Sequence, residues 1–179
     1  MFVPKDYILK AASQPEHLFI NSNGDWCLSY RNLPLKVGVS CYVIWQEKIL
    51  LLLRSPAVRF SGKWGTVSGY VDNLELLHNS NDFGRDHIIQ EFIEEVGWVV
   101  DESMNLRYGG THALMLPESQ VHFELFTLVF EQEPPVIRLN VEHSAYQWVK
   151  LSQLSRFKSV LITQFVEGLE GCITSELGG

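Results

Sequence analysis

The sequence predicts an α/β fold in which a mixed sheet packs between helices. Two observations carry that expectation. Strand-like segments come first, then an amphipathic helix, then more strands and a second amphipathic helix. The chain has 179 residues, 46% hydrophobic and 20% charged, enough for one ordinary domain with a sizeable core.

The elements follow in order. Residues 1–36 are broken by Pro4, Pro15, Asn21-Ser22-Asn23-Gly24 and Pro34, and read as an N-terminal extension of short elements. The main domain is expected over 37–179. Val37, Val39, Cys41, Val43 and Trp45 repeat every second residue, the period of a strand. Gln46-Glu47-Lys48 suits a hairpin turn, and Ile49–Leu53 a strand buried on both faces. Residues 54–74 hold Ser55-Pro56, Ser61-Gly62, Gly65 and Ser68-Gly69, and read as loop. His78–Gly84 is polar apart from Phe83 and reads as a mobile surface loop.

From Phe83 to Val96 the period becomes helical, with Ile88, Ile89, Phe92, Ile93 and Val96 on one face. Asp82 suits the N-cap and Gly97 the position past the C-terminus. Leu106–Leu116, Val121–Phe130 and Tyr146–Lys150 are expected strands, with Glu131–Pro135 a loop. Residues 151–172 alternate at helical spacing through Leu154, Phe157, Leu161, Phe165 and Leu169, which predicts one amphipathic helix.

Charge and cysteine usage narrow the function classes. The net charge is −7 with no basic run, which disfavours nucleic-acid binding but leaves room for a single nucleotide in a local pocket. Cys27, Cys41 and Cys172 form no CxxC pair, and the start of the chain lacks a signal-peptide core. The longest apolar run, Ile49–Leu53, is far short of the roughly 20 residues that span a bilayer. A soluble, cytoplasmic protein with no membrane association is expected.

Glu91, Glu94 and Glu95 stand at i, i+3 and i+4, which puts three carboxylates on one helix face. Like charges so placed repel. The cluster turns favourable when a hard divalent cation with a preference for oxygen, Mg²⁺ or Mn²⁺, sits among them. An ordinary solvated helix face is the simpler account of an EE pair, so the surroundings decide. Upstream, Gly69 is followed after five residues by Glu75, and Gly97-Trp98 closes the helix.

These residues resemble the box of the Nudix hydrolases: Gly, five residues, Glu, seven residues, then Arg-Glu-apolar-x-Glu-Glu-x-Gly-apolar. Glu91, Phe92, Glu94, Glu95, Gly97 and Trp98 match its last portion, and Gly69 and Glu75 its first. Leu50–Ser55 followed by Gly62-Lys63-Trp64, and Glu142–Val149, are similar to the family's flanking segments. The resemblance runs from about Val37 to the C-terminus. It departs at two points. Fourteen residues instead of seven separate Glu75 from Gln90, and Gln90 stands where the family has Arg. Gln can donate hydrogen bonds there but brings no charge.

The resemblance implies a Nudix-type α/β/α sandwich and Mg²⁺-dependent hydrolysis of a nucleoside diphosphate linked to another group, with Mn²⁺ as a substitute ion. Glu91, Glu94 and Glu95 would hold the metal, and Glu94, Glu95 or Glu75 would serve as catalytic groups. ADP-ribose, dinucleoside polyphosphates, nucleoside triphosphates and nucleotide sugars all stay open as substrates. In the family, selective contacts come from variable loops and often from a partner subunit, which leaves a homodimer open. A catalytically weak nucleotide-binding or sensor module on the same fold is the alternative.

Other polar residues carry weaker signals. Arg54 and Lys63 flank the loop before the box and could hold phosphate, although surface cations usually do nothing specific. Tyr70 and Phe60 could stack on a base. Glu118, Glu124 and Glu142 are further carboxylate candidates. No HExxH spacing occurs among the six histidines, and Ser68 lacks a GxSxG context.

Overall fold

A computed structural model describes residues 4–177, with side chains described through Cys172. The chain runs α1 (Pro4–Ala12), a 3-10 turn (Pro15–His17), β1 (Leu18–Ile20), β2 (Trp26–Leu28), β3 (Leu35–Trp45), β4 (Lys48–Arg54), β5 (Trp64–Gly65) and β6 (Val67–Tyr70). It continues through α2 (Leu74–Asn79), α3 (Phe83–Val96), β7 (Asn105–Met115), β8 (Gln120–Phe130), β9 (His143–Lys150), a second 3-10 segment (Leu151–Phe157) and α4 (Phe165–Leu177).

β3 to β9 form a seven-stranded mixed sheet with the path β5-β4-β3-β8-β7, β6 pairing with β3 and β9 with β4. β3 and β8 run parallel over eleven residue pairs, from Leu35↔Gln120 to Trp45↔Phe130, and every other pairing is antiparallel. The β3–β4 hairpin joins through only two pairs, Ile44↔Ile49 and Trp45↔Lys48. Beyond them β3 takes β6 and β4 takes β9, so the sheet divides.

The expected alternation explains the two cores. Val37, Val39, Cys41 and Val43 point to one face with Leu50 and Leu52, where Ile88, Phe92 and Val96 of α3 cover them. Tyr42, Ile49 and Leu51 point to the other, with Leu161, Phe165 and Leu169. Each fully buried α3 side chain contributes roughly 1.5–3 kcal/mol relative to exposure. That burial fixes the rotation of the helix, and so the direction of its polar residues. Asp82 caps α3 by accepting from the Arg85 amide at 3.2 Å. Gly97 ends it at φ 73°, a left-handed conformation that costs glycine nothing.

Four expectations need correction. The loop predicted over 54–74 contains β5 and β6, short strands that the turn residues around them conceal. His78–Gly84 is not a mobile loop: His78 and Asn79 end α2, and Phe83 and Gly84 begin α3. Leu77 of α2 is fully buried, and Asn73 caps that helix by accepting from the Glu75 and Leu76 amides. Residues 151–172 do not form one helix. Trp64 donates to the Val160 carbonyl at 2.8 Å and accepts from the Ile162 amide at 2.8 Å, so the sheet edge captures 160–162 and α4 starts only at Phe165. Finally, the N-terminal extension is not apart from the domain, because Ile8, Ala11, Leu28 and Tyr30 belong to the core under α3.

Candidate active site

The division of the sheet places β6 and the turn after it beside the last turns of α3. Gly69 has no Cβ for a reason visible there: one would collide with Glu91 Oε1. The Ser68 amide donates to Glu95 Oε2 at 3.0 Å. Glu91 and Glu95 therefore press against the backbone of β6, the first of them against Gly69.

Five carboxylates gather here: Asp72, Glu91, Glu94, Glu95 and Glu142. Asp72, Glu91, Glu94 and Glu142 line a cavity of about 530 Å³. Glu95 lies just behind it, with 1% of its surface exposed. Burial, then repulsion from Glu95, Glu94 and Asp72, holds the Glu91 carboxyl well above its ordinary range. Burial, followed by Glu142 and Glu94, pushes Glu95 up to about 8 despite the Ser68 amide. Burial and then Glu94 raise Asp72 to about 7. The nearest cation is Arg54, whose guanidinium stands 3.8 Å from Glu142 Oε2.

Nothing in the local physics of α3 favours this arrangement. A helix C-terminus carries partial negative charge, and the last turn of α3 holds no basic residue to offset it. Glu95 Oε1 is buried without a hydrogen-bond partner, and both ring nitrogens of buried His143 share that condition. The closest approach between them is 3.8 Å, from His143 Nε2 to Glu95 Oε1. Burial and then Arg54 lower His143 to about 4, so the imidazole is neutral. It brings no charge to offset the carboxylates. A buried carboxylate oxygen left orphaned costs free energy. Carboxylates destabilised in this way are what a divalent cation would relieve. Among the described residues, no three His, Cys, Asp or Glu side chains already close on a point as ligands.

The structure sorts the sequence candidates. Glu91, Glu94, Arg54 and Tyr70 line the cavity, as does Phe60, and Glu95 supports them from behind. Glu75 does not belong to it: it is exposed in the first turn of α2 and absent from the lining. Lys63 is also outside, its ammonium donating to the Ser159 carbonyl at 2.8 Å. Glu124 packs instead against Gly84 at the start of α3, where a Cβ would strike its carboxylate. Gln90 donates to Glu94 Oε1 at 2.7 Å, an i, i+4 hydrogen bond that braces the carboxylate without charge.

Two residues outside the sequence candidates also belong to the site. Asp72 sits three residues past Gly69, inside the acidic motif, and that position was its signal. Arg59 lines the cavity beside Arg54, which donates from Nε to the Arg59 carbonyl at 2.7 Å. A run of loop residues gave no hint of that pairing.

Solved structures share this architecture. The chain resembles a MutT protein from Methanosarcina mazei at 23% identity and TM-score 0.62, over 80% of this chain and 96% of that one. It resembles the Nudix domain of Shewanella oneidensis NrtR, solved with ADP-ribose, at 16% identity and TM-score 0.63, over 79% and 88%. An Ap4A hydrolase from C. elegans matches at 17% identity and TM-score 0.54, over 80% and 99%. The fold is thus the Nudix-type α/β/α sandwich. No family model and no curated protein matches the sequence. Among the described residues, no helix is long and apolar enough to cross a membrane.

Proposed function

We propose that the protein is a divalent-cation-dependent hydrolase acting on the diphosphate of a nucleoside diphosphate linked to a second group. The observation that carries this reading is a cavity lined by Asp72, Glu91, Glu94 and Glu142 beside Arg54 and Arg59, with Glu95 buried directly behind it and Asp72, Glu91 and Glu95 held above their ordinary ionisation range. An acidic cluster alone repels a diphosphate, and an arginine pair alone does not activate water. Together with a cation they serve both needs.

The donor set fits Mg²⁺ or Mn²⁺, since it is all oxygen and includes the orphaned Glu95 Oε1. Glu91, Glu94 and Glu95 would hold the ion. When bound, it would neutralise phosphate oxygens and make a water more acidic. Arg54 and Arg59 would hold the remaining phosphate charge. A carboxylate of the cluster takes the proton of the attacking water, and Glu142, half in solvent, can pass it on. The uncharged residues of the cavity, among them Phe60, Tyr70 and Phe123, suit a nucleobase.

Solved structures with this fold include an Ap4A hydrolase and a complex with ADP-ribose, which is in keeping with a nucleotide ligand. The displaced Glu75 and the uncharged Gln90 favour a second reading, a nucleotide-binding module without turnover. A phosphate-release screen separates the two. ADP-ribose, Ap4A, a nucleotide sugar and ATP would each be supplied with Mg²⁺ and Mn²⁺. Release with one of them, abolished by chelation, supports the hydrolase. Tight binding with no release supports the module.

A further inference from the structure

The N-terminal hairpin β1–β2 borders the same cavity. Phe19, Asn21, Ser22, Asn23 and Cys27 line it together with Asp72, Gln90 and Glu94. The hairpin is tied to the carboxylate turn through its backbone. The Leu28 amide donates to the Asp72 carbonyl at 2.9 Å, and Cys27 bridges to Asn73. The elements that hold the base of the hairpin are thus the ones that position the acidic turn.

Its two faces differ. Phe19 pairs with Cys27, and both face the cavity. Ile20 pairs with Trp26, and neither lines it. The turn is pre-formed: Asn21 Oδ1 accepts from the Asn23 and Asp25 amides, both at 2.9 Å. Asn21 is consumed in this way, whereas the side chains of Ser22 and Asn23 make no hydrogen bond among the described residues. The hairpin therefore offers a hydroxyl, a carboxamide and an aromatic face. It offers no cation.

We infer that the β1–β2 hairpin is a substrate-recognition wall, in which Phe19, Ser22 and Asn23 contact an uncharged, hydroxyl-rich group on the far side of the diphosphate. A sugar or a second nucleoside meets that description. A terminal phosphate does not, because nothing on the hairpin would neutralise it. This inference rests on the proposed function for the location of the diphosphate. It adds that selectivity comes from the N-terminal segment of the same chain.

The test uses the full chain and three variants: Phe19→Ala, Asn23→Ala and Trp26→Ala. KM and kcat would be measured with ADP-ribose, Ap4A and ATP, and dissociation constants by calorimetry with the same three nucleotides. Phe19→Ala and Asn23→Ala should each weaken ADP-ribose or Ap4A about five- to tenfold in KM, with kcat within about twofold. ATP should change less than about twofold, and Trp26→Ala should change nothing. Equal weakening of all three nucleotides, or no weakening, overturns the inference. Should the wild type bind but not turn over, the hydrolase reading fails alone and the calorimetric constants decide the hairpin's role by the same pattern. Failure of the wild type to bind any of the three overturns both.

Discussion

Helix α3 presses Glu91 against Gly69 and faces Glu94 to the cavity, whereas α2, three residues earlier along the chain, leaves Glu75 in solvent. Both helices carry glutamates of one sequence pattern. The difference lies in what holds each helix and where on it the glutamates sit. α3 spans fourteen residues and buries Ile88, Phe92 and Val96, so its carboxylates have one direction only. α2 spans six residues with Leu77 as its one fully buried side chain. Glu75 stands in its first turn, where the positive end of a helix welcomes a carboxylate for local reasons. Glu91, Glu94 and Glu95 stand near the negative end, where local reasons argue against them. A glutamate that its own helix explains calls for no ligand, and one that its helix penalises does.

The largest effect should come from Glu95→Gln, which removes the most deeply buried carboxylate. Turnover in saturating Mg²⁺ should fall on the order of a hundredfold or more, because a ligand charge is lost. In metal-free buffer the same variant should melt at the same temperature or higher, since an uncharged group replaces a carboxyl whose burial opposes ionisation. The pH dependence follows from the directions of the shifts. Asp72, Glu91 and Glu95 keep protons in the folded state at pH values where an unfolded carboxyl has lost them. Their stabilisation is complete below the unfolded range, about 4, and is lost as the pH rises through about 7 to 8. His143 works in the opposite sense between about 4 and its ordinary value of 6.5, so the net decline should be steepest above that. Thermal melts of the metal-free protein from pH 5 to 9 check this, and Glu95→Gln should flatten the curve. A wild type that gains stability over pH 7 to 9 would sink the assignment.

Leu77→Ala tests whether α2 is structure or ornament. Truncating a fully buried leucine costs about 2–5 kcal/mol. Chemical denaturation should show a loss in that range, with KM little changed in the folded fraction. Removing residues 78–84 to restore a seven-residue spacing would be worse, because it takes the end of α2 and the start of α3 together. If that deletion melts within a few degrees of wild type, α2 is dispensable and the contrast between the helices fails.

How much of this was legible in the sequence depends on the range of the interaction involved. α3 was readable because its period, its Asp82 cap and its Gly97 stop are local, and Glu91, Glu94 and Glu95 came with it. β3 and β4 were readable from alternation and a doubly apolar run. α2 was hidden because six residues hold less than two full turns, too few for a period, and Asn and Ser around it imitate a loop. β5, β6 and the break near Leu161 were hidden because their hydrogen bonds are to residues distant in the chain. The cavity wall supplied by β1–β2 is also a long-range fact. Asp72 was hidden differently: its role depends on burial, which one acidic letter does not announce.

Gln90→Ala addresses the brace within α3. Gln90 holds Glu94 by one hydrogen bond between exposed side chains, worth roughly 0.2–0.5 kcal/mol in a helix. Turnover should fall no more than about threefold, with a matching rise in the Mg²⁺ concentration needed for half-maximal rate. Gln90→Arg would add charge beside Asp72 and Glu94, two carboxylates of the same lining. It should bring the Asp72 pKa down toward the ordinary carboxylate range, so that Asp72 ionises more readily, and weaken metal binding in competition. A gain in rate for Gln90→Arg would show that the brace, and not the competition, is limiting.

The smallest effect belongs to Glu75, and it decides the comparison most directly. Glu75→Gln keeps the size and the helix-forming character of the residue and removes only its charge. The loss of a favourable charge at the start of α2 should cost about 0.3–1 kcal/mol of stability. Turnover and the Mg²⁺ requirement should both stay within about twofold of wild type, because the side chain lies in solvent outside the cavity. The measurement is a rate titration against Mg²⁺ for wild type, Glu75→Gln and Glu94→Gln side by side. If Glu75→Gln matches Glu94→Gln in its loss of rate, then α2 must swing its first turn into the site when substrate binds. The division between a helix that explains its glutamate and one that does not would then be wrong.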